Sequence, residues 1–119
     1  MDQVWNIIYY QAPNQSNSPI YEFINNLDAK AKTKVINTID LLEHYGIRLG
    51  SPHTKKLVGT DLWELRVLGQ DNIRVLYIAI TGKNFLLLHG FSKKKQKTDK
   101  KEIEIALTRL KEYNSRSKN

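Results

Sequence analysis

Between residues 62 and 91 the chain reads "LWELRVLGQDNIRVLYIAITGKNFLLLHGF", three β-rich segments separated only by the turns "GQDN" and "TGKN". In the first, "LWELRVL", apolar and charged residues alternate. Trp63, Leu65 and Val67 point one way, and Glu64 and Arg66 point the other. The second, "IRVLYIAI" (73–80), is nearly continuous apolar sequence suited to a central strand. The third, "FLLLHGF" (85–91), is of the same kind and runs straight into lysines. Consecutive strands with turns this short predict an antiparallel meander.

The flanks read as follows. Residues 3–11, "QVWNIIYYQ", predict a further strand, and "APNQSNSP" a loop. Ser18 before Pro19 has the form of a helix N-cap followed by proline in the first turn. Ile20, Phe23, Ile24 and Leu27 then share one face of a short helix. Asp28 is placed to cap a second helix carrying Ala31, Val35, Ile39 and Leu42, which Gly46 ends. Residues 47–56, "IRLGSPHTKK", read as loop. Asp99 with Glu102 forms a capping-box pattern opening a last helix with an Ile103, Ala106, Leu107 and Leu110 stripe, and 114–119 reads as a flexible tail. The expectation is one α+β domain over 1–119. A twisted antiparallel sheet packs on an N-terminal helical hairpin, a C-terminal helix follows, and the sheet face bearing Glu64 and Arg66 is left partly open.

Composition narrows the function. A chain of 119 residues without cysteine needs a core rather than disulfides or thiolate metal sites. No apolar run reaches membrane-spanning length, and "MDQVWNIIYYQ" lacks the features of a signal peptide, so a cytoplasmic protein with no membrane partner is expected. The formal charge is +7, and residues 93–101, "KKKQKTDKK", hold six lysines against Asp99. Such a field attracts phosphate backbones or an acidic partner, or it is a solvated lysine face. There is no phosphate-loop motif, no H-E-x-x-H and no G-x-S-x-G, and His44, His53 and His89 lack metal-ligand spacing. What remains are cations on strands, Arg66 and Arg74, and the lysines after Phe91. Arginine on a strand suits a two-pronged grip on phosphate, and an ion pair with Glu64 is the structural alternative.

"KKLVGTDLWELR", "IRVLY", "LLLHGFSKKKQKT" and "EIEIALTRLKEY" together resemble the RelE-type toxins of bacterial toxin–antitoxin modules, in their phage-derived HigB-like branch. The resemblance spans about residues 4 to 113. It departs where Asp99 stands in place of the proline that often follows the threonine. It implies an mRNA endoribonuclease that acts in the ribosomal A site by attack of the ribose 2′-hydroxyl on the adjacent phosphate, with no cofactor and no metal. Arg66 and Arg74 match arginines that hold the scissile phosphate, and Lys94 a further charge contributor. Phe91 matches a base-stacking aromatic, and Lys93, Lys95 and Lys97 match the RNA-binding basic segment. His89 is the leading candidate for proton transfer and Tyr77 its rival. The resemblance also implies a helix-turn-helix antitoxin as partner, with operator DNA bound only through that antitoxin. Two other readings stay open. One is a same-fold toxin that binds DNA gyrase, and the other is a non-enzymatic nucleic-acid-binding module.

Overall fold

The computed structural model describes residues 4–69, 72–93 and 97–116. Its elements run β1 (Asn6–Tyr9), α1 (Pro19–Asn25), α2 (Ala29–Tyr45), a 3-10 turn (Gly46–Arg48), β2 (Thr54–Lys56), β3 (Trp63–Arg66), β4 (Ile73–Ile80), β5 (Asn84–Ser92) and α3 (Lys100–Arg116). The local signals act as expected. The Ser18 hydroxyl accepts from the Ile20 and Tyr21 amides, and Asp28 accepts from Ala31. Ala31, Val35, Ile39 and Leu42 are buried, and Gly46 closes α2 at φ 63°, a conformation that favours glycine. No helix among the described residues is long and apolar enough to cross a membrane.

Three features correct the sequence expectation. The sheet is mixed, in the order β1-β5-β4-β3-β2, because β1 pairs parallel with β5, Ile7 opposite Phe85 and Tyr9 opposite Leu87. The helical pair therefore lies between β1 and β2 rather than at the N-terminus, and α1 packs on β5. A strand's own sequence does not encode the direction of so distant a partner. Second, residues 54–56 form an edge strand within the expected loop. Three residues, two of them exposed lysines, carry no alternation to read, and lysines of this kind discourage further pairing at an edge. Third, the sheet face bearing Glu64 is covered over β4 and β5 and open only toward β2 and β3, where Lys55 is exposed and the Arg66 side chain is 28% exposed. Helix α3 lies across it, with Ala106 buried and Ile103 and Leu110 packed on the core, and Glu64 is 0% exposed. Leu107 points outward, leaving the expected stripe one residue short.

A β-bulge sorts the two faces. Leu76 pairs with His89 but Tyr77 pairs with Leu87, so Leu88 is an extra residue on β5. His89 and Phe91 consequently face α3, in register with Leu76 and Arg74. Phe85 and Leu87 face the other way, where Phe85 stacks on Trp5 and meets Tyr77 edge-on. Strand parity alone would place all four of these β5 residues on one face.

On the helical-pair side α1 sits close to β5. A Cβ built on Gly90 would lie 2.6 Å from the Phe23 ring. Gly90→Ala should therefore lower stability by about 1–3 kcal/mol through overpacking. In a Phe23→Ala background the same change should cost little. Chemical denaturation of the four proteins in the cycle measures this coupling, and strict additivity would show that the close approach has no energetic consequence.

Candidate functional site

The β3–β4 register sets Arg66 directly opposite Arg74. Like charges across a strand pair repel. Glu64, two residues earlier on the same face, lies between them with its Oε1 3.5 Å from Arg66 Nε and 3.6 Å from Arg74 Nε. Lys93, just after β5, brings its Nζ to 3.9 Å from the same oxygen. The other carboxylate oxygen accepts a hydrogen bond from the Thr98 hydroxyl. Three cations thus surround one carboxylate, an excess of two positive charges. Burial lowers the pKa of Arg74 and of Lys93, Glu64 opposes both shifts, and the neighbouring cations add to them. Among the described residues, Glu64 Oε1 and the Nε atoms of Arg66 and Arg74 are buried without a hydrogen-bond partner. Toward Glu64 both guanidinium groups are therefore held by charge rather than by a fork-to-carboxylate bond, and Arg74 Nη1 donates to the Ile73 carbonyl at 3.0 Å.

Beside this cluster lies a cavity of about 230 Å³ lined by Phe91, Ser92, Lys93, Lys97, Asp99, Lys101 and Glu102. Its chemistry is mixed, combining Lys93, Lys97 and Lys101 with the Asp99 and Glu102 carboxylates. Glu102 Oε1 is 2.7 Å from His89 Nε2, while His89 Nδ1 lies 3.4 Å from Arg109 Nη1. A guanidinium can only donate, so Nδ1 accepts, and Nε2 carries the proton that it gives to Glu102. Arg109 itself is fixed by donating to the Leu88 carbonyl at 2.7 Å, the residue that makes the bulge. Burial lowers the His89 pKa, the Glu102 hydrogen bond opposes this, and Arg109 reinforces it. The imidazole is thus neutral, with both nitrogens engaged. Phe91 stacks on it at 5.2 Å between ring centres and is only 7% exposed.

Of the residues singled out from the sequence, Arg66, Arg74 and Lys93 converge on one oxygen. His89 and Phe91 are stacked on the same sheet face, and Lys97 lines the cavity. Lys94 and Lys95 lie outside the described residues. Phe91, matched to a base-stacking aromatic, lines the cavity but is largely buried against His89. Tyr77 faces the opposite side of the sheet, and burial raises its pKa. Sequence reasoning treated Glu64 as one arginine's ion-pair partner and missed its part as the hub. Its parity with Arg66 was the available signal. Thr98, Glu102 as a cavity wall and Arg109 carried none, because each acts across the chain through α3 or the segment leading to it.

Removing one member of a buried charge cluster strands the others. Glu64→Gln should cost about 3–5 kcal/mol, with part of the loss restored by sulfate, and urea titration with and without the salt measures both. Unchanged stability would show that the carboxylate does not hold the cations. For His89 the sign follows from its depressed pKa. Below the unfolded value of 6.5 the unfolded chain binds a proton that the folded chain refuses. Stability should fall as pH drops from 6.5 toward the depressed value, and His89→Gln should flatten that slope. Parallel slopes in the two proteins would contradict the assignment.

The curated proteins contain no match to the chain. A family model described as phage-derived protein Gp49-like (DUF891) matches residues 22–111. That span holds Glu64, both arginines, Phe91, Lys93, Thr98, Glu102 and Arg109. The chain belongs to this Gp49-like family, which is associated with toxin–antitoxin modules.

Proposed function

We propose that this protein is the toxin of a type II toxin–antitoxin pair, of the HigB-like RelE branch, and that it cuts mRNA in the ribosomal A site. The observation that carries the reading is the preorganised surplus of cations, Arg66, Arg74 and Lys93 around buried Glu64, opening beside a cavity with a carboxylate wall. Cleavage needs charge where the pentavalent phosphorane develops, a group to take the 2′ proton and a source of a proton for the leaving 5′ oxygen. The 2′ oxygen bonds to phosphorus as the bond to the 5′ oxygen breaks, leaving a 2′,3′-cyclic phosphate and a 5′-hydroxyl. Arg66 and Arg74 supply the charge. The Glu102 carboxylate, oriented by His89, is the group placed to accept the proton. Lys93, whose ammonium is acidified by burial, is placed to return one. Lys97 and the neighbouring lysines draw in the RNA backbone.

In the cell the partner would be a helix-turn-helix antitoxin that neutralises the basic face, operator DNA being reached only through it. The protein acts in the cytoplasm, where ribosomes are.

Induced expression should arrest growth, generate new 5′ ends within translated messages, and be relieved by the neighbouring antitoxin. Intact messages with cleaved chromosomal DNA would instead identify a gyrase poison. Intact messages together with salt-sensitive RNA binding would identify a binding module. Arg66→Ala is the decisive variant, because Arg74 and Lys93 remain to hold Glu64 and the fold should persist. Single-turnover cleavage on saturated ribosomes should fall about 10²–10³-fold, with ribosome binding nearly unchanged. An equal loss in binding would make Arg66 a docking contact.

A further inference from the structure

Lys93 and Lys97, which wall the first cavity, also wall a second. Between the β2–β3 turn and the start of α3 lies a cleft of about 160 Å³ whose apolar lining comes from Leu57, Val58 and Ile103. Its rim is cationic, with Lys55, Lys93 and Lys97 around it, and Glu64 and Thr98 close its inner end. Lys55 sits opposite Glu64 in the β2–β3 pairing, so it belongs to the same sheet face as the arginines. Leu57 and Ile103 are fixed by the core, whereas Val58 is 95% exposed and packs on nothing that folding requires. Gly59, at φ 82°, turns the chain immediately after it.

We propose that this cleft is a nucleobase subsite, receiving one base of a single-stranded RNA whose neighbouring phosphate rests on the arginine–lysine cluster. The identification of the ligand as RNA rests on the nuclease reading above; the shape and chemistry of the cleft do not. A nucleic-acid strand alternates an anionic phosphate with a flat, weakly polar ring. The cleft sets an aliphatic floor beside a cationic rim in the same alternation. Leu57, Val58 and Ile103 offer the base no side-chain donor or acceptor. Those three residues therefore meet the ring face and select by apolar area, favouring a purine, while Thr98 and the lysines are the groups able to hydrogen-bond its edge. Val58 is then the residue through which the protein senses the base, while the arginines and lysines hold the backbone irrespective of sequence.

The test uses the full chain with labelled methyl groups and two probes of equal charge. One is a 2′-deoxy tri-adenosine strand, which lacks the attacking hydroxyl, and the other is its abasic counterpart. The base-bearing strand should shift the Leu57, Val58 and Ile103 methyl signals, and the abasic strand should shift only the Lys93 and Lys55 amides. Val58→Ser should weaken the base-bearing strand about fivefold, in line with the apolar side-chain area lost, and leave abasic affinity unchanged. In cells it should redistribute cut positions among the bases. Equal responses to both strands would make the cleft a phosphate groove and overturn the proposal. A methyl response confined to an oligo-glutamate peptide would overturn it in favour of a protein partner. Methyl shifts with no message cleavage in cells would uphold the subsite and reject the nuclease. Cleavage with silent methyls would do the reverse.

Discussion

A single buried carboxylate sets the terms for half of this molecule. Glu64 has no solvent exposure, and a carboxylate taken out of water is expensive unless cations compensate it. Arg66 and Arg74 could not face each other across β3 and β4 without a negative charge between them. Each side of the cluster thus requires the other, and the requirement fixes the β3–β4 register as firmly as the apolar residues behind it. Lys93 extends the arrangement to the end of β5, and Thr98 ties in the segment entering α3. The carboxylate is therefore an electrostatic anchor for β3, β4 and both ends of the lysine-rich stretch.

The bulge at Leu88 is the second organising device, and its effect is one of direction. In an unbroken ladder of the same sequence, His89 and Phe91 would share a face with Phe85 and Leu87 in the apolar core under α1. With it, they turn toward α3, where Glu102 and Arg109 engage the imidazole at both nitrogens. The Leu88 carbonyl, at the point of irregularity, is taken up by Arg109. The backbone defect and the polar network around His89 are thus one feature. At its far end α3 is held by another polar group, in which the Tyr10 hydroxyl donates to Glu112 at 2.6 Å and Arg116 bridges Glu112 and the Gln11 carbonyl. That pairing holds the Glu112 carboxyl down at about 2. The helix roofing the cation cluster is fastened near both ends.

Much of this was legible in the sequence where the cause is local. Ser18 and Asp28 mark helix starts because a capping side chain acts within three residues, and β4 reads correctly from Ile73 to Ile80 because its apolar run is uninterrupted. The clustering of Arg66 with Arg74 follows from a short hairpin and strand parity. Legibility ends where the cause is distant or has no period. The parallel pairing of β1 with β5, the three-residue edge strand β2 and the bulge each depend on a partner element or a single inserted residue. Phe91 shows the limit inside the site itself. Its place at a strand end suggested a free ring, but the covering helix and the stacked His89 leave it 7% exposed.

That burial changes how the site can recognise a ligand. An aromatic with little free face is a poor platform for an unstacked base, so on the proposed reading the base contact comes from elsewhere on the same face. The apolar groups that remain accessible beside the cations are on the β2–β3 turn and at the start of α3, where Val58 is nearly fully exposed. Phe91 lines the first cavity and stacks on the His89 ring, whose Nε2 is hydrogen-bonded to Glu102. On the proposed nuclease reading, backbone grip, proton transfer and base contact are divided among separate elements. Strands β3 and β4 carry the arginines, α3 carries Glu102, and the turn between β2 and β3 carries Val58. Lys93 and Lys97 form the shared wall that brings the three together.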